Sequence, residues 1–66
     1  MIVITKIAGA YLVKATPPHS DKRWTSLLPL SARRTIEGLI RHGVSLPDAF
    51  AAMLAADPHG VDHALG

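Results

Sequence analysis

The sequence predicts an α+β domain in which an antiparallel β-hairpin packs against two C-terminal helices, and three observations carry that expectation. Residues 2 to 16 are rich in Ile, Val, Thr and Tyr with one flexible point, Ala8-Gly9-Ala10, which is the composition of two strands joined by a tight turn. Ser31 and Ser45 each stand just before an apolar run and offer the side-chain oxygen an N-cap needs. Gly43 stands where the first helix must leave through a left-handed residue, and Asp57-Pro58 stops the second.

If Ala8 and Gly9 form a two-residue loop, Ile4 faces Val13 and Ile2 faces Ala15 on one side of the ribbon, while Val3, Thr5, Leu12 and Lys14 share the other. Both faces then carry apolar side chains. Pro17-Pro18 cannot donate to a sheet ladder and must end the second strand. A polar connection follows, His19-Ser20-Asp21-Lys22-Arg23, where mobility is expected. Trp24 to Leu28 reads either as a third, short edge strand or as a segment that crosses the helices.

In the first helix Ala32, Ile36, Leu39 and Ile40 fall on one stripe, which should lie on the hairpin. Arg33, Glu37 and Arg41 line another at an i, i+4 spacing that pairs opposite charges. Ser45-Leu46-Pro47-Asp48 resembles a capping box with Asp in place of Glu, and Leu46, Ala49, Phe50, Met53 and Leu54 should form the buried side of the second helix. Residues 57 to 66, with little to hold them, should fray or add one more turn.

A chain of 66 residues makes one domain, residues 1 to 66, and at this size folding buries only about 60% of the surface of the unfolded chain. There is no cysteine to staple it, so a hydrophobic content of 48% must supply the cohesion, which makes a homodimer an expectation. Seven Lys and Arg against five Asp and Glu give a net charge of +2, which permits phosphate binding without demanding it. The apolar N-terminus lacks a basic leader and is interrupted by Lys6 and Lys14, so it reads as folded structure and not as a secretory signal. No run approaches the ~18 apolar residues of a membrane span, and the expected location is the cytoplasm.

Candidate chemistry is sparse. Two helices joined by Arg41-His42-Gly43-Val44-Ser45 resemble a helix-turn-helix, but the second helix offers Ala, Leu, Met, Phe and one Asp where base readout needs Arg, Lys, Asn or Gln. The basic residues Lys22, Arg23, Arg33, Arg34 and Arg41, with Trp24 and His42 close in sequence, could bring cation and aromatic together as nucleic-acid sites do. Against that, Arg33 and Arg41 each have Glu37 one turn away, and a lone Trp in a small domain belongs more often to the core. His59 and His63, with Asp57 and Asp62 nearby, have a metal-ligand spacing, yet Gly60 weakens the helix they would share, and the reading is no metal and no cofactor. No nucleophile elbow, phosphate loop or carboxylate pair is present, which argues against an enzyme and a small-molecule substrate.

The segments ITKIAGAYLVKATPPH, Trp24-Thr25-Ser26, Pro29-Leu30, Arg41-His42-Gly43, Asp48-Ala49-Phe50 and Ala56-Asp57-Pro58 together resemble a group of small uncharacterised proteins of proteobacterial phages, especially filamentous ones, and integrated mobile elements. The resemblance spans most of the chain and implies a bacterial accessory protein of phage or prophage type. It brings no assigned activity or site residues. The function expected is a non-catalytic protein-binding or regulatory module that uses Val3, Thr5, Leu12 and Lys14, with a nucleic-acid-binding accessory using Lys22, Arg23, Trp24, Arg33, Arg34 and Arg41 as the alternative.

Overall fold

A computed structural model describes residues 1 to 66 as an antiparallel three-stranded sheet with three helices on one face. The strands are β1 (Ile2–Ile7), β2 (Ala10–Ala15) and β3 (Trp24–Pro29), in the order β1-β2-β3. The helices are α1 (Ala32–Arg41), α2 (Leu46–Ala56) and α3 (Pro58–Leu65). The segment that begins at Trp24 is therefore a third strand, and it pairs with β2 along its whole length, from Ala15 opposite Trp24 to Ala10 opposite Pro29.

The hairpin has the register its turn dictates, with Ile2 opposite Ala15, Ile4 opposite Val13 and Thr5 opposite Leu12. Ala8 and Gly9 both have positive φ, 36° and 81°. That backbone matches the twist of the flanking strands and sets a two-residue loop. The strand period of two then sends Tyr11, Val13 and Ala15 inward, each 1% exposed or less, with Ile2, Ile4, Trp24 and Leu28 partly buried around them.

Helix α1 starts at Ser31, whose hydroxyl accepts from the Arg34 amide at 3.3 Å. It ends in a Schellman motif, in which Val44 N–H donates to the Leu39 carbonyl and Gly43 N–H to the Ile40 carbonyl, both at 3.0 Å. Gly43 takes φ +88°, and a Cβ there would collide with the Asp21 carboxylate. Val44 is the apolar residue that closes the motif, 2% exposed. Ser45 caps α2 through the Asp48 amide at 3.3 Å, half of the expected capping box. The 19–23 loop, expected to be mobile, is tied down at two points: the Ser20 hydroxyl donates to the Lys22 carbonyl at 2.7 Å, and Asp21 N–H donates to the His42 carbonyl at 2.8 Å.

The helical stripes pack differently from their sequence pattern. In α1 the buried residues are Ala32, Thr35 and Leu39, and Ile40 is 43% exposed. In α2 only Ala49 and Met53 are fully buried, whereas Leu46 and Leu54 are 57% and 42% exposed. A third helix completes the layer. Residues 58 to 65, expected as a frayed tail, form α3, which packs against α1 and α2, while α2 lies over β1 and α1 over β3 and β2. Each helix thus turns a narrower stripe to the sheet than its apolar residues would fill.

Thr35 is wholly buried and its hydroxyl has no hydrogen-bond partner. A buried hydroxyl without a partner costs about 1–3 kcal/mol, and Val has nearly the same shape. Thr35→Val is expected to raise the thermal midpoint. A midpoint that falls would show that the hydroxyl is satisfied in solution.

Candidate functional site

The uncovered face of the sheet is built from three cross-strand rows: Val3–Lys14–Thr25, Thr5–Leu12–Leu27 and Ile7–Ala10–Pro29. All four residues expected to form the protein-binding face, Val3, Thr5, Leu12 and Lys14, lie on it. No helix covers this side. Val3, Ile7 and Leu27 are 42%, 44% and 62% exposed, and Leu12, at the centre, is half-buried by its neighbours. Lys14 is the sole charge among the nine residues. Both outer edges of the sheet, on β1 and β3, lack a partner strand.

The six residues of the nucleic-acid alternative do not share one surface. Trp24, Arg34 and Arg41 line a depression of about 370 Å³ between β3 and α1, together with His42. The Trp24 and His42 rings stack at 4.0 Å with 10° between their planes. His42 Nδ1 lies 2.8 Å from the Gly38 carbonyl, so that nitrogen carries the hydrogen and the ring is held in place. Gly38 lies against the indole, where an added Cβ would meet the edge of Trp24 at 3.4 Å, an ordinary packing distance. Arg33 points to the other flank of α1, with its Nε 3.8 Å from Glu37. Lys22 and Arg23 are exposed in the loop before β3, and Arg41 has no carboxylate within ion-pair distance.

A third site was not read from the sequence. Tyr11, on the central strand, donates its phenol hydrogen to Asp57 Oδ2 at 2.5 Å. Lys6 Nζ lies 3.4 Å from the same oxygen, while Oδ1 accepts from the Gly60 amide at 3.2 Å. Asp57 therefore both caps α3 and locks it to the sheet. Burial, then the hydrogen bond to Asp57, push the Tyr11 phenol up to about 12. The Tyr11 hydrogen bond, then that of Gly60, hold the Asp57 carboxyl below its ordinary range against the opposing effect of burial. His59 and His63 line a cavity with Tyr11 and Asp57, but no three His, Asp or Glu side chains are placed so that they could hold a metal ion.

The helices leave a fourth feature, an apolar groove of about 410 Å³ whose walls include Ile36 and Ile40 of α1, Leu46 and Phe50 of α2, and Leu65 of α3. Arg33 and Glu37 stand at its rim. Its sequence signal was present as an excess: Ile40 and Leu46 belong to apolar stripes wider than the core they were expected to fill. No helix is long and apolar enough to cross a membrane. Comparisons with family models, with curated proteins and with solved structures found no match to this chain.

Proposed function

We propose that this chain is a non-catalytic protein-binding or regulatory module, of phage or mobile-element type, that meets its partner through the uncovered side of the sheet. The observation that supports this reading is the open row Thr5–Leu12–Leu27, flanked by Val3 and Ile7. Three strands of this length present a flat area on the order of 300 Å², well short of the ~800 Å² that each partner gives to a standard interface. The contact therefore runs on to a free strand edge, where backbone hydrogen bonds to an added strand supply affinity and the alternating side chains supply selectivity.

The double variant Val3→Glu/Leu27→Glu tests the reading. Both positions are exposed, so stability is expected to change by no more than about 0.5 kcal/mol per site, while a protein captured by the wild type from a bacterial lysate is lost. An identical captured set would overturn the proposal. A second reading, nucleic-acid binding, is favoured by the stacked Trp24–His42 pair beside Arg34 and Arg41. It is separated in the same experiment, because nuclease then releases the captured material and Arg34→Ala/Arg41→Ala weakens salt-sensitive binding to a single-stranded oligonucleotide.

A further inference from the structure

We propose that the groove between α1, α2 and α3 seats a second copy of this chain, with α1 packed antiparallel to its two-fold mate. The proposal is independent of the sheet-face reading, since the two surfaces lie on opposite sides of the molecule. Along α1, Arg33, Ile36, Glu37 and Ile40 follow i, i+3, i+4, i+7 spacing and form one continuous stripe. Its apolar members line the groove and its charges border it.

Charge selects the occupant. A two-fold contact is self-complementary, so a surface that uses it must carry both signs at positions the axis exchanges. Arg33 and Glu37 meet that condition: with the helices antiparallel and the axis crossing the exposed face of α1 midway between these two residues, Arg33 faces Glu37 of the partner subunit and Glu37 faces Arg33 of the partner subunit. Within one chain this pair is weak. Its separation is 3.8 Å, the two side chains are 84% and 53% exposed, and Arg precedes Glu, the less favourable order on a helix. The same axis places Ile40 near Leu30 of the partner subunit, and Leu30 is itself 45% exposed.

A specific dimer takes at least about 600 Å² from each partner, so the contact extends from the groove over the exposed apolar side chains at its mouth. Leu46 and Leu65, 57% and 72% exposed at the groove mouth, are the apolar surface a dimer would withdraw from water. The chain needs that burial, because only nine hydrophobic residues form its fully buried core.

Sedimentation velocity over a concentration series tests the proposal. The wild type is expected to dimerise, Ile40→Glu/Leu46→Glu to weaken the dimer by about a hundredfold, and Val3→Glu/Leu27→Glu to leave it unchanged. Arg33→Glu should weaken it by placing like charges opposite each other, and Arg33→Glu/Glu37→Arg should restore it. A wild type that stays monomeric up to about 1 mM, a dimer lost with the sheet-face variant instead of the groove variant, or a charge swap that fails to rescue would each overturn it. Circular dichroism of each variant separates loss of association from loss of fold.

Discussion

Tyr11→Phe is expected to lower the free energy of unfolding by about 1.5–3 kcal/mol, the range for a hydrogen bond to a charged group, and the thermal midpoint by on the order of 10 °C. The substitution keeps the ring packed between sheet and helices and removes one oxygen. That oxygen satisfies Asp57, which is 6% exposed and caps α3. Loss of the lock should therefore loosen α3 first, visible as faster amide exchange in residues 58 to 65. The pH dependence carries a second signature. The Tyr11 phenol, raised to about 12 from 10.0, contributes stability that is complete below pH 10 and is lost as pH rises toward 12. The Asp57 carboxyl, lowered from 3.8, contributes stability that is present above that value and is lost as pH falls through its folded-state value. Denaturation curves across pH should show a plateau with both flanks in the wild type. In Tyr11→Phe the acid flank becomes shallower and the tyrosine contribution to the alkaline flank disappears. Superimposable alkaline flanks in the two proteins would show that Tyr11 is not the group responsible.

Gly60→Ala is expected to destabilise the protein by about 1–3 kcal/mol, the usual cost of overfilling a packed site. Helix propensity alone predicts the opposite sign, a gain of roughly 0.8–1 kcal/mol for replacing Gly by Ala inside a helix. The steric effect outweighs it here because a Cβ on Gly60 would stand 2.7 Å from both the Tyr11 hydroxyl and Asp57 Oδ2. These two atoms are already held together in a buried hydrogen bond and have no free direction in which to move. In the Tyr11→Phe background the hydroxyl is absent, so the cost of Gly60→Ala should shrink, and thermal melts of the four-member cycle measure that coupling. A more stable Gly60→Ala single variant would mean that α3 shifts freely against the sheet.

Local signals were the legible part of this fold. A two-residue loop at Ala8-Gly9 sets one register, and the strand period of two then places Val3, Thr5, Leu12 and Lys14 together on the outer face. Ser31, Gly43 and Ser45 act within three to five residues of themselves, which is why their roles could be read without tertiary information. The basic site was less legible. Residues a few positions apart on α1 face different directions, so Arg34 and Arg41 join Trp24 while Arg33 turns to the apolar groove.

Alone, then, the sequence determined the α+β class, the hairpin register and the caps of the first two helices, because each depends on neighbours along the chain. Only the tertiary structure decided the strand at Trp24–Pro29, the third helix and the narrow buried stripes of α1 and α2. The physical reason is separation: Tyr11 and Asp57 lie 46 residues apart, and the hydrogen bond between them turns an apparent stop signal and a weak tail into a helix locked to the central strand. Gly60, which reads as a helix breaker, is the residue that leaves room for that bond.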